Sequence, residues 1–339
     1  MIFPLAIAIF GTFLGIFLIR WAFPKLGLMD RPEKYGHKRA PVPYPAGIIL
    51  PIIFSIIAFL ILPHDKHLFG FLSAAWILVV TSFADDRVGL SPFFRLGIQI
   101  LCAVIVVSSG IGIDFVSNPF GGAINLHTGQ LPIDLFGTIY HFSPRADLFT
   151  IIWLLLIINA FNWLDGVSGL TSSVSAIAGF VLAALASSVG QPEIALLALC
   201  FGLASTVFFL FDLAPPKILM GDTGSMFLGF TIAILAIFSS GKIATAFLVL
   251  GVPLFDAIRT IFRRIRMGKS PFYGDLDHFH HLLLRGGLSE RQTVAVVAGM
   301  SFLFGSSALL LSGYGKFWAI VILGVLLFTI LWGVQQKKR

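Results

Sequence analysis

The 339-residue chain is 57% apolar and 12% charged, with 35 phenylalanines. Its mean hydropathy of +0.96 excludes a soluble domain of useful size and places it among polytopic membrane proteins. A net charge of +7 would suit nucleic acid, but the basic residues follow the loops of a membrane topology, so no nucleic-acid partner is expected.

A membrane span needs about 20 apolar residues to cross a hydrocarbon core about 30 Å thick. Such runs lie near 2–22, 47–63, 68–84, 93–113, 147–164, 170–189, 193–212, 223–240, 243–262, 292–312 and 316–334. They predict an all-α polytopic membrane protein of eleven transmembrane helices, with ten as the alternative count, in a single domain over 1–339. The first run has no basic n-region and no small-residue cleavage site, so it is expected to be a retained helix. Cys102 and Cys200 fall within spans and suit packing, not a disulfide framework or a zinc site.

With the N-terminus outside, the inner loops collect Lys25, Arg31, Lys34, Lys38, Arg39, Arg87, Arg95, Lys217, Arg263, Arg264, Arg266, Lys269, Arg285, Arg291 and the Lys337-Lys338-Arg339 tail. The outer loops hold Lys66, Arg145, Lys242 and Lys316. This asymmetry is the positive-inside pattern and predicts N-out, C-in. Loops near 23–46, 85–92, 165–170, 212–222 and 263–291 are then cytoplasmic, and every charged motif belongs to them. The outer segment 110–146, with Asn118-Pro119, Gly121-Gly122 and Thr128-Gly129, reads as a small extracytoplasmic β-hairpin.

Four clusters carry candidate chemistry. In Asp85-Asp86-Arg87-Val88-Gly89-Leu90-Ser91-Pro92, adjacent carboxylates at a helix end suit a divalent cation or a shared proton; a pair that merely stabilises the turn is the competing reading. Arg95 follows one turn into the next helix, within reach of lipid phosphates. Asn159, Asn162 and Asp165 recur at three-residue spacing and share a helix face ahead of Gly166, Ser168 and Gly169. Amides in an apolar helix bind a ligand or glue helices together. In Lys217-Ile218-Leu219-Met220-Gly221-Asp222-Thr223-Gly224-Ser225, a glycine-rich turn opening a helix offers N–H groups to phosphate. Asp222 there either holds a cation or caps the helix. Finally, Asp275-Leu276-Asp277-His278-Phe279-His280-His281 gathers three of the eight histidines in a basic loop. Diphosphate hydrogen bonding fits them better than zinc, which lacks a cysteine partner or spaced carboxylate here.

In this order the motifs resemble the polyprenyl-phosphate N-acetylhexosamine-1-phosphate transferases (glycosyltransferase family 4), especially the bacterial undecaprenyl-phosphate N-acetylglucosaminyl-1-phosphate transferases. The first inner loop, with Gly27-Leu28-Met29-Asp30, Pro32, His37, Pro41, Pro43 and Gly47, is similar too. His278-x-His280-His281 followed by Leu282-Leu283-Leu284 resembles members that take UDP-GlcNAc or a related UDP-HexNAc. Members taking UDP-MurNAc-pentapeptide have an acidic residue after the His run. The chain departs from the pattern at Ser168, where a second Asp is usual, at Asp212 for Asn, at Ala46 for Gly and at Arg95 for Lys. Tyr35-Gly36 also replace a basic pair before His37.

The resemblance implies Mg²⁺-dependent transfer of HexNAc-1-phosphate, most simply GlcNAc-1-phosphate, from a UDP-sugar to undecaprenyl phosphate with release of UMP. This would be the first membrane step of a cell-envelope polysaccharide at the cytoplasmic face of the plasma (inner) membrane. By carry-over, Asn162 and Asp222 hold Mg²⁺, with Mn²⁺ as an alternative. Asp85, Asp86 and Asp222 are the catalytic carboxylates, with Asp85 or Asp86 as base. Asn159, Asp165, Ser168, Arg95, Lys217, His278, His280 and His281 contact substrate. Direct attack and a covalent aspartyl intermediate both stay open, as does a homodimer. The competing functions are UDP-MurNAc-pentapeptide transfer, a transporter and a lipid-binding scaffold. A transporter is disfavoured by polar groups gathered at one face and by the lack of a repeat.

Overall fold

The computed structural model describes residues 2–35, 39–118, 121–135, 138–239, 243–270 and 277–336. The chain begins with α1 (Ile2–Ala6) and α2 (Thr12–Ala22), continuous through a π-helical turn over Ile7–Gly11. Next come α3 (Ile49–Ile61), α4 (Lys66–Val88) and α5 (Pro92–Ser108). Four short strands follow: β1 (Phe115–Ser117), β2 (Ala123–Asn125), β3 (Leu131–Leu135) and β4 (Thr138–Phe142). The remaining helices are α6 (Pro144–Leu164), α7 (Leu170–Ser188), α8 (Pro192–Asp212), α9 (Gly221–Phe238), α10 (Ile243–Val249), α11 (Gly251–Arg266), α12 (Phe279–Arg285), α13 (Glu290–Leu310) and α14 (Gly313–Gln336).

Local signals explain five of the helix starts. Asp65 accepts the His67 and Leu68 N–H groups at the head of α4, and Ser91 accepts that of Phe94 at the head of α5. Proline opens α5, α6 and α8, where its missing N–H costs nothing. Ser289 and Gln292 form a reciprocal capping box on α13.

Counting α1 and α2 together, eight helices among the described residues are long and apolar enough to cross a bilayer, and two shorter apolar ones centre on α3 and α5. The protein is an all-α, multi-pass membrane protein. The run near 243–262 forms two helices instead of one, broken at Leu250. Pro253 lies in the first turn of α11, where it has no N–H to continue the helix from α10. Where a single hairpin was expected over 110–146 there are two, β1 antiparallel to β2 and β3 antiparallel to β4. Gly121 and Gly122, both at positive φ, turn the first. Pro119 lies outside the described residues.

At the centre stands α9, in which every residue except Asp222 and Phe238 is buried. A helix apolar all round belongs in the middle of a bundle, and small residues bring its neighbours close. A Cβ on Gly229 would lie 2.9 Å from the Ile157 carbonyl oxygen of α6, and one on Gly47 would lie 2.6 Å from the Cα of Gly224. Around this core, α2 and α14 present Phe13, Phe17, Leu18, Val325 and Phe328 outward, an apolar belt suited to lipid. Cys102 and Cys200 are buried and unbridged.

Candidate active site

Asp86, at the last turn of α4, reaches across to the start of α9. Its Oδ1 accepts hydrogen bonds from the Tyr44 hydroxyl (2.5 Å) and the Asp222 N–H (2.9 Å). Its Oδ2 accepts the Thr223 N–H (3.0 Å) and hydroxyl (2.6 Å). Asp86 thus caps α9 from outside, meeting donors the helix cannot satisfy and its positive dipole end. The chain fits only because Gly221 sits at φ +75°, where a Cβ would lie 2.8 Å from Asp86 Oδ2 and 2.6 Å from Pro45 Cβ. Backbone hydrogen bonds from Ala46 to Leu219, Gly47 to Met220 and Leu219 to Pro43 tie the first inner loop to this turn. Burial, then the charge of Asp86, pushes the Tyr44 phenol up, so it stays a neutral donor.

Asp85 points the other way. Its Oδ1 accepts the Leu90 N–H and its Oδ2 takes Arg95 Nη1 at 2.8 Å. The same Nη1 lies 3.0 Å from Asp222 Oδ2, so one guanidinium bridges α4 and α9. Asn159 donates to Gln99 Oε1 at 2.7 Å and to the Leu155 carbonyl. The interhelical-glue reading therefore describes Asn159. Asn162 borders a small cleft of about 20 Å³ with Arg95, Gln99, Asn159 and Trp163.

Beyond this cleft a cavity of about 890 Å³ opens, large enough for a sugar nucleotide. Asp86, Asp165, Asp212 and Asp222 lie along it, as do Tyr44, Gly166, Ser168 and His281. Among the described residues its arginines are Arg31, Arg39 and Arg87; Asp30 holds Arg39 at 2.6 Å. Asp212, 2% exposed, accepts the Gly169 N–H and the Ser172 hydroxyl and so caps α7. Burial, reinforced by Asp212 and Asp222, pushes the Asp165 carboxyl well above the usual range.

The histidine segment is riveted to α11. Asp256 accepts His278 Nδ1 at 2.8 Å and the Phe279 N–H at 2.8 Å. Arg259 donates to the Asp277 carbonyl, while Arg263 and Arg285 grip the Asp277 carboxylate at 2.5 and 2.7 Å. His280 is 1% exposed, and neither ring nitrogen has a hydrogen-bond partner among the described residues. A Cβ on Gly166 would lie 2.3 Å from His280 Nε2, so glycine alone admits that ring beside the 165–169 turn. Burial, then His281 and His278, lowers the His280 pKa well below the ordinary imidazole value and keeps it neutral.

The structure therefore brings Asp85, Asp86, Asp165, Ser168, Asp222, Arg95, His280 and His281 around one region, with Asn162 and His278 at its edges. Lys217 stands apart: it is exposed, does not line the cavity, and its ammonium lies 5.7 Å from the Phe211 ring centre. His37, Asp275 and Leu276 lie outside the described residues. Sequence reading missed Tyr44, Asp212 as a cap, Arg39 with its partner Asp30, and Asp256. For Asp256 the signal was present, an aspartate inside the apolar stretch Val252-Pro253-Leu254-Phe255.

Among the described residues no three His, Cys, Asp or Glu side chains form a metal-binding group. The carboxylates of Asp86, Asp165, Asp212 and Asp222 and the Ser168 hydroxyl line the cavity with His281, and burial, then the like charges of Asp212 and Asp222, raises Asp165. Such a set fits a hard cation that completes its shell with water and substrate phosphate, as Mg²⁺ does.

The glycosyl transferase family 4 model matches residues 68–240. A probable undecaprenyl-phosphate N-acetylglucosaminyl 1-phosphate transferase of Bacillus subtilis is 33% identical over 89% of this chain and 82% of its own length. Undecaprenyl-phosphate alpha-N-acetylglucosaminyl 1-phosphate transferases of Yersinia pestis and Escherichia coli K12 are 30% and 28% identical. These matches cover 83% and 96% of this chain and 76% and 88% of those proteins.

Proposed function

This chain belongs to glycosyl transferase family 4, and we propose that its cavity carries out the reaction its relatives' names describe. It transfers HexNAc-1-phosphate, from UDP-GlcNAc in the simplest reading, to undecaprenyl phosphate and releases UMP. The observation that carries this is the single cavity of about 890 Å³ shared by carboxylates and arginines from well-separated loops. Two anionic substrates meeting in one site require both kinds of group, arginine for phosphate oxygens and carboxylate for a cation and a proton. The eleven-span, N-out/C-in reading puts this site on the cytoplasmic face of the plasma membrane, where nucleotide sugars are at hand.

Asp222 and Asn162 would hold Mg²⁺, with Asp165 close by. When bound, the cation neutralises the diphosphate and makes UMP a better leaving group. Arg95 bridges Asp222 and Asp85 and offsets their charge. Asp86 has both oxygens committed to Tyr44 and the α9 terminus, and its work is to position Asp222. Asp165 is better placed to accept a proton from the lipid phosphate. Burial holds its carboxyl above the usual carboxylate range, which makes it a stronger proton acceptor than an ordinary aspartate. Arg31, Arg39 and Arg87 steer and hold phosphate at the cavity wall, and His281 reaches the same space from the opposite loop.

Competition binding tests the donor. UDP-GlcNAc is expected to displace a labelled uridine nucleotide at concentrations where UDP-MurNAc-pentapeptide does not; the reverse ranking would overturn the assignment.

A further inference from the structure

We propose that Asp256 is a positioning residue that fixes the tautomer and orientation of His278 so that Nε2 accepts a hydrogen bond from a hydroxyl or amide N–H of the sugar nucleotide, an inference resting on the function proposed above. Asp256 Oδ2 and His278 Nδ1 are 2.8 Å apart. A carboxylate only accepts, so Nδ1 carries the proton and Nε2 is the nitrogen left for substrate. The second oxygen of Asp256 is occupied as well, by the Phe279 N–H at 2.8 Å and by Arg259 at 3.4 Å. The carboxylate therefore cannot turn away from the imidazole.

The surroundings make this hydrogen bond strong. On its other side Asp256 borders an apolar cavity of about 280 Å³ walled by Val252, Phe255, Leu327 and Phe328. Little water competes there, and a charge-assisted hydrogen bond is stronger in such a medium. His278 is itself buried and flanked by Trp163, with ring centres 5.7 Å apart, and by the parallel ring of His280 at 5.9 Å. Arg264, 2% exposed, lies over Trp163 with its guanidinium carbon 5.0 Å from the ring centre. The ring is thus held at its faces and at one edge, and only the orientation of its free edge bears on substrate. No step of the transfer passes through Asp256.

A double-mutant cycle separates this role from simple anchoring of α12. Asp256→Asn, His278→Gln and the double variant are assayed for KM and kcat with UDP-GlcNAc. Asp256→Asn is expected to raise KM about tenfold or more, because the amide cannot hold the Nδ1–H form as a carboxylate does. The double variant is expected to lose clearly less than the product of the two single losses, since the part of the Asp256 effect that acts through His278 is then already gone. Losses that multiply in the double variant would overturn the proposal. A second measurement needs no turnover: the imidazole ¹⁵N spectrum of ¹⁵N-histidine-labelled protein, with His278 assigned by its loss in His278→Gln or by selective labelling. Nδ1 is expected to be protonated; a neutral ring carrying its proton on Nε2 would refute the link. If wild-type protein transfers nothing from UDP-GlcNAc yet shows the Nδ1–H form, the proposed function fails while the Asp256–His278 pairing stands.

Discussion

At the scale of single residues, the carboxylates divide by what their oxygens already do. Asp86 spends both on the α9 terminus, whereas the Asp222 carboxylate meets Arg95, which it shares with Asp85. Asp222→Ala is expected to lower kcat by at least 100-fold with little loss of folding, because it removes a ligand charge. Ser168→Ala should cost tenfold or less, the worth of one hydrogen bond of about 0.5–1.5 kcal/mol. Asp165 adds a pH signature. Its folded-state pKa is raised, so the folded chain binds the extra proton, and stability falls as pH rises from the unfolded value through the folded one. Asp165→Asn cannot ionise and is expected to raise Tm at mildly alkaline pH while reducing turnover; an unchanged or lower Tm there would count against the reading. Sequence alone identified these residues but not their division of labour. Asp85 and Asp86 are neighbours in the chain, yet one faces Arg95 and the other Tyr44 and Thr223, because consecutive residues on a helix diverge by about 100°.

At the scale of elements, the site is built by clamping loops onto the N-terminus of α9. The Gly-Asp-Thr-Gly sequence announced a helix start, and the structure supplies its cap from a residue more than a hundred positions earlier. Such a cap cannot be seen in local sequence, since local capping signals cover only the neighbouring turn. The same limit hid Asp212, which caps α7 from the end of α8, and Asp256, which anchors α12 from α11. Gly221→Ala tests the clamp. It forces a left-handed conformation costing about 1–2 kcal/mol and places a methyl against Asp86 and Pro45. Lowered Tm together with lost activity is expected, whereas Gly97→Ala, which meets no atoms within 4 Å, should retain both.

At the scale of the whole molecule, hydropathy was legible because a bilayer demands long apolar helices, and the observed helices follow the runs closely except at Leu250, where Pro253 divides the ninth. The proposed N-out, C-in orientation rests on the basic residues, and sided labelling tests it: a single cysteine at Arg285 should react only from the cytoplasmic side, one at Arg145 only from outside. What sequence could not display was the convergence of distant loops on one cavity, a property of packing and not of any segment. That convergence is the central claim, and one assay meets it most directly. Purified protein is given labelled UDP-GlcNAc and undecaprenyl phosphate, with Mg²⁺ or with excess EDTA, and lipid-linked GlcNAc diphosphate and UMP are counted. The account predicts both products in equal amounts with Mg²⁺ and neither with EDTA. Binding of both substrates without product, or full turnover in EDTA, would contradict it.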